Sequence, residues 1–190
     1  QPTKLRFSSV TKQNINCYGD STGSISVTMG GGTSPYKYKF DTSTSYKNTT
    51  SWSNLGPGTY ALSVKDANGC LKDTSFTISQ PAAALSATKD SINVKCKDES
   101  TGSAWVVVSG GTPNSKGKYY YSWSPSGGNQ DTAKNLAAGT YTVTITDSLH
   151  CTLTKRFVIK QPNIKISDTI KVVKPVTCYG GSDGIAMVQG

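Results

Sequence analysis

Cys17-Tyr18-Gly19-Asp20-Ser21-Thr22-Gly23-Ser24, running straight into Ile25-Ser26-Val27-Thr28-Met29, decides how this chain is read. The octad returns as Cys96-Lys97-Asp98-Glu99-Ser100-Thr101-Gly102-Ser103. It starts again as Cys178-Tyr179-Gly180-Gly181-Ser182-Asp183-Gly184, the two offsets being 79 and 82 residues. Self-similarity at a fixed period is the signature of a repeat architecture. Working outward, Gly31-Gly32-Thr33 matches Gly110-Gly111-Thr112, and Leu55-Gly56-Pro57-Gly58-Thr59-Tyr60 matches Leu136-Ala137-Ala138-Gly139-Thr140-Tyr141. Asp66 to Cys70 matches Asp147 to Cys151, and Gln80-Pro81 matches Gln161-Pro162. The repeat predicts one unit over residues 1–81, a second over 82–162 and the start of a third over 163–190. The chain opens on Gln1-Pro2, the dipeptide that closes both units, so it reads as a piece of a longer array.

Each unit reads as strands. Ser24 to Met29, Tyr60 to Lys65 and Tyr141 to Thr146 alternate polar and apolar residues, the period of a sheet with one buried face. Asp66-Ala67-Asn68-Gly69 supplies turn chemistry, because Asn and Gly tolerate positive φ. No segment keeps a helical period. Composition agrees: 49 of 190 residues are Ser or Thr, only 16% are charged, and Gly numbers 19. The expected fold is all-β, tandem immunoglobulin-like β-sandwich repeats. No stretch approaches the ~20 apolar residues of a membrane helix.

Each complete unit has two cysteines, Cys17 with Cys70 and Cys96 with Cys151. The pairs predict two disulfides inside the repeats and leave Cys178 as a free thiol. Four strands are read between Cys17 and Cys70. If they alternate in direction, both cysteines lie at one end of the sandwich. A fifth strand hidden in Asp41–Asn48 would put them a strand length apart, beyond bonding reach. Disulfides imply an oxidising, extracytoplasmic setting.

The combined pattern resembles the SprB repeat. It runs Cys-x-Gly-x-x-x-Gly-Ser, Gly-Gly-Thr, an aromatic strand, Leu-x-x-Gly-Thr-Tyr, Val-x-Asp-x-x-x-Cys and Gln-Pro. That family occurs in very large surface adhesins of gliding Bacteroidetes. The resemblance implies an extracellular, cell-surface adhesin exported by type IX secretion. It also implies a structural or adhesive segment that extends the protein from the cell and supports attachment and gliding motility. Expected partners are an extracellular surface or polysaccharide and the gliding and secretion machinery of the same cell. Nucleic acid, a cofactor and a membrane span are not expected. The second unit departs from the pattern at Leu149-His150, where Asn-Gly is usual, and at the insertion Asn114–Lys118.

The alternative is a glycan- or polyanion-binding module. Tyr36, Tyr38, Trp52, Tyr119, Tyr121 and Trp123, with lysines nearby and a net charge of +9, are its candidate residues. The simpler account makes alternate aromatics core and the lysines a solvated face. Asp66, Asp147, Asp20, Asp98 and Glu99 recur in loops and serve turns more readily than calcium. His150 has Gly69 as its counterpart and no nucleophile beside it, so an enzyme is not expected. Asp-Ser/Thr motifs at Asp20, Asp90, Asp131, Asp147 and Asp168 resemble an O-glycosylation signal of exported Bacteroidetes proteins. The short link Gln80–Ala84 predicts sandwiches stacked end to end.

Overall fold

The computed structural model describes residues 3–164, 169–180 and 182–189. All regular elements among them are strands, as expected. In the first repeat, β1 (Arg6–Gln13), β2 (Gly23–Gly30) and β4 (Ser51–Leu55) form one antiparallel sheet in the order β1-β2-β4. β3 (Lys37–Phe40), β5 (Gly58–Lys65) and β6 (Leu71–Ile78) form the other, in the order β3-β5-β6. Splitting first, second and fourth strands from third, fifth and sixth is the immunoglobulin partition of strands A, B, E from C, F, G.

The second repeat repeats the partition. β7 (Ser86–Ile92), β8 (Gly102–Ser109) and β10 (Thr132–Leu136) make one sheet. β9 (Tyr120–Ser124), β11 (Gly139–Thr146) and β12 (Thr152–Ile159) make the other. The head of the third copy contributes the antiparallel pair β13 (Thr169–Lys174) and β14 (Ile185–Gln189). By contact density the chain divides into two compact units. One holds the chain up to Ala87 with Val108–Tyr119 and Ile145–Leu153. The other holds Thr88–Val107, Tyr120–Thr144 and the chain from Thr154.

Alternation builds the core. In β2, Ile25, Val27 and Met29 point inward while Ser26 and Thr28 face out; Leu62, Val64 and Ile78 meet them from the other sheet. Each such fully buried aliphatic side chain contributes roughly 1.5–3 kcal/mol. The fingerprint glycine Gly23 is a close-approach residue. A Cβ there would lie 2.6 Å from Ile78 Cγ2 and 2.8 Å from Leu55 O, and Gly102 meets Ile159 and Leu136 in the same way. Tyr60 Oη donates to Gly56 O (3.0 Å) and Tyr141 Oη to Ala137 O (3.1 Å), the corner tyrosine of such sandwiches.

The cysteine pairing differs from expectation. Cys17 bonds Cys151, with a Cα–Cα distance of 5.6 Å, whereas Cys70, Cys96 and Cys178 are free and exposed. Neither Cys17–Cys70 nor Cys96–Cys151 forms, and the register gives the reason. β4 runs antiparallel to β2, and β5 follows it after Gly56 and Pro57, so β5 runs the same way as β2. β3 is antiparallel to β5 and therefore shares the direction of β4. The link between β3 and β4 must then travel back along the sandwich. It does so beside β3, where Tyr38 N–H donates to Lys47 O (2.7 Å) and Lys47 N–H to Tyr38 O (2.8 Å). Five passes, not four, separate Cys17 from Cys70. They sit at opposite ends of strands about 25 Å long, far beyond disulfide reach.

Candidate functional site

The recurring motifs converge on two kinds of loop at opposite ends of each repeat. The first is the cysteine loop before β2 and before β8. Asp20 N–H donates to Cys17 O (3.2 Å) and Glu99 N–H to Cys96 O (3.3 Å). The side chain of the Gln-Pro glutamine reaches back to each. Gly19 N–H donates to Gln80 Oε1 and Asp98 N–H to Gln161 Oε1, both at 2.9 Å. Both donors have positive φ, +85° at Gly19 and +66° at Asp98. The third copy keeps part of this frame. Thr177 N–H donates to Asp183 Oδ1 (3.1 Å), where the second copy has Lys95 N–H on Thr101 Oγ1 (3.0 Å). The Thr177 hydroxyl and the Lys174 ammonium hold the Asp183 carboxyl down at about 2.

The second kind is the Asp-x-x-x-Cys loop after β5 and after β11. Asp66 Oδ1 accepts from Asn68 N–H (3.0 Å) and Cys70 N–H (2.8 Å), and its Oδ2 accepts from Thr33 N–H (3.0 Å). Asp147 repeats this with Leu149, Cys151 and Thr112, each at 2.9 Å. Both carboxylates are buried. One aspartate thus ties the Cys loop to the Gly-Gly-Thr loop and aims the cysteine. Gly32 makes room for this at φ +62°, where a Cβ would fall 2.8 Å from Asp66 Oδ2.

Backbone N–H donation, first of all from Thr33, holds the Asp66 pKa below its ordinary value of 3.8. A depressed folded value means the carboxylate stabilises the fold fully above the unfolded value and loses that contribution as pH falls through the folded one. Urea midpoints are therefore expected to be level between about pH 7 and 5 and to fall below about pH 4. Asp66→Asn is expected to flatten that acid limb. An unchanged slope in the variant would take Asp66 out of the account.

His150 occupies a left-handed position, φ +68°, where the first repeat has Gly69 at +85°. A non-glycine residue there costs about 1 kcal/mol, partly offset by the greater unfolded-state entropy of glycine. His150→Gly is expected to raise stability by about 0.5 kcal/mol in a thermal melt; a lowered melting temperature would show that the imidazole makes a compensating contact.

The six aromatic candidates do not gather on one open face. Tyr38 and Trp123 are core residues, and Trp123 Nε1–H donates to Gln130 O (2.8 Å). Tyr36 Oη donates to Gly31 O (2.7 Å) and Tyr119 Oη to Gly110 O (2.8 Å), both closing glycine turns. Tyr121 is half-buried. Trp52 is also half-buried and stacks on Phe40 at 4.3 Å; with Ser43, Lys47 and Thr49 it lines a cleft of about 280 Å3. The second repeat has Ala133 at that position, buried completely, and Trp123 in place of Phe40. The indole moves to the other side, and its partner shrinks from Phe to Ala.

Asp20, Asp98 and Glu99 are exposed. Among the described residues no three His, Cys, Asp or Glu side chains lie close enough to hold a metal ion. Of the Ser/Thr positions in acidic motifs, Ser21 is exposed, while Ser148 is half-buried and its Oγ donates to Thr112 O (2.8 Å). Asp168 lies outside the described residues. Among the described residues no helix is long and apolar enough to cross a membrane.

The SprB repeat family model matches the chain twice, at residues 9–45 and 88–128, so the resemblance carried by the motifs holds at two segments of the chain. SprB repeats are units of cell-surface proteins. No curated protein sequence matches the chain. Among solved structures it is similar to the C-terminal 282-residue fragment of intimin in complex with the intimin-binding domain of the translocated intimin receptor. There the identity is 14%, over 90% of this chain and 69% of that one, with a TM-score of 0.48. It is similar to Dpr11 IG1 bound to DIP-gamma IG+IG2, at 11% identity over 83% and 98% of the two chains and a TM-score of 0.31. It is also similar to domains 4–9 of the surface layer protein SbsC, at 15% identity over 96% and 36%, with a TM-score of 0.31.

Proposed function

On the premise that the chain carries two SprB repeats, we propose that it is a load-carrying segment of a large cell-surface adhesin. It extends the adhesin from the cell and supports attachment and gliding, and its role is structural rather than enzymatic. In this reading the whole protein is exported by type IX secretion and carried by the gliding machinery. The observation that supports it best is the Cys17–Cys151 bond, which spans 134 residues and joins the first repeat to the second. Tension entering before Cys17 and leaving after Cys151 bypasses everything between them while the bond holds. Pulling the fragment from its ends with and without reductant tests this. Reduction is expected to release roughly 450 Å more chain, at about 3.4 Å per residue. Equal lengths in both conditions would reject the load path. Antibodies to the two repeats, applied to intact cells, test location and adhesion: surface labelling and weakened attachment are expected, and unlabelled cells would reject the reading.

A second reading, binding of a glycan or polyanion, is favoured by the Trp52 cleft, which presents an indole beside Lys47. Binding on a glycan array that Trp52→Ala abolishes would support it; an array without signal would leave the segment a spacer.

A further inference from the structure

Cys70 and Cys96 are each the counterpart of a bonded cysteine. Cys70 holds the place in the first repeat that Cys151 holds in the second, and Cys96 holds the place of Cys17. The loops match in detail. Cys70 N–H donates to Asp66 Oδ1 as Cys151 N–H donates to Asp147 Oδ1. The Cys96 loop has the same internal turn and the same glutamine contact as the Cys17 loop. Only the covering differs: Cys151 is 8% exposed, while Cys70 and Cys96 lie open. Beside Cys70 is an open cleft of about 490 Å3, lined among others by Leu5, Gly32, Asp66 and the exposed Leu71.

We propose that Cys70 and Cys96 are the two open halves of a disulfide between adjoining repeats. Cys96 accepts the Asp-x-x-x-Cys loop of a following repeat, and Cys70 accepts the cysteine loop of a preceding one. A second copy of this chain carries both partners. Cys96 of one copy therefore bonds Cys70 of the next, a head-to-tail contact that propagates instead of closing. The oxidant is a disulfide. The Cys96 thiolate attacks a sulfur of oxidised glutathione and expels one glutathione thiolate. The Cys70 thiolate then attacks the mixed disulfide at the Cys96 sulfur and expels the second. Two protein thiols are oxidised, one glutathione disulfide is reduced to two thiols, and the two protons pass through solvent to the expelled glutathione thiolates.

The test uses the whole chain with Cys178→Ser, so that no third exposed thiol competes. In a glutathione redox buffer this protein is expected to form a ladder of multimers that reductant collapses. Adding Cys70→Ser or Cys96→Ser is expected to leave monomer, since each such protein keeps only one half. Mixing the two variants is expected to restore a dimer, at least tenfold above either alone, whose joined peptides contain Cys96 and Cys70. Equal yields of homodimer from the single variants would overturn the proposal, as random collision of exposed thiols. A Cys70–Cys96 link within a monomer would overturn it too. In the native surface protein Cys96 is expected in a bond to an Asp-x-x-x-Cys peptide. Unchanged mass on reduction assigns the partner repeat to the same chain, and a fall in mass assigns it to another copy. Native Cys96 recovered as a free thiol would overturn the proposal.

Discussion

Cys17→Ser is expected to lower the free energy of unfolding by about 5 kcal/mol, because the Cys17–Cys151 bond removes the closure entropy of a very long loop from the unfolded chain. Cys151→Ser should cost the same. The double variant should cost no more than either, since both singles delete one bond. Cys70→Ser should shift stability by less than about 0.5 kcal/mol, its side chain being exposed and outside any disulfide. Urea titrations with and without reductant separate these cases: the parent should drop to the level of Cys17→Ser when reduced. A Cys17→Ser midpoint equal to the oxidised parent would show that the bond contributes nothing. Peptide mapping without reduction should recover Cys17 with Cys151. A Cys17–Cys70 peptide would instead restore pairing within one repeat and contradict the five-pass topology.

Asp147→Ala is expected to cost about 3–5 kcal/mol. The carboxylate is 1% exposed and is the acceptor for three backbone N–H groups, those of Thr112, Leu149 and Cys151. Removing it leaves those donors in a closed site without an acceptor, at roughly 1–3 kcal/mol each before relaxation. Asp147→Asn keeps one acceptor oxygen but turns an NH2 toward a donor, so it should fall between. Because one of the three bonds holds Cys151, Asp147→Ala should also slow formation of the Cys17–Cys151 bond on refolding. Thermal melts and the rate of thiol disappearance measure the two effects. A melting temperature within a degree or two of the parent would mean that water replaces the carboxylate.

The Asp-x-x-x-Cys and Gly-Gly-Thr motifs were legible as turns, but their connection was not. Nothing in the spacing of Thr33 and Asp66 says that one N–H meets the other's carboxylate, since the chain across their separation of 33 forms strands that bring them together. The aromatic strand shows the same limit. Its alternation marks an inward face, yet whether Trp52 fills the core or lines a cleft depends on the bulk opposite it. Phe40 stacks on it in one repeat, while the other has Ala133 in its place and Trp123 in that of Phe40.

The sequence by itself determined the repeat, the all-β class, the strands and the turn residues. These follow from short-range physics: a period of two for a half-buried strand, and glycine or asparagine where φ must be positive. The corner tyrosines are as local, because Tyr60 and Tyr141 bond a carbonyl only four residues back. Only the tertiary structure decided the disulfide. The pairing hangs on the parity of passes between Cys17 and Cys70. That parity turns on the stretch between β3 and β4, which lacks strand periodicity and is held beside β3 at Tyr38 and Lys47. One uncounted pass moves Cys70 to the far end of the sandwich, and a bond expected within a repeat becomes a bond from the first repeat to the second.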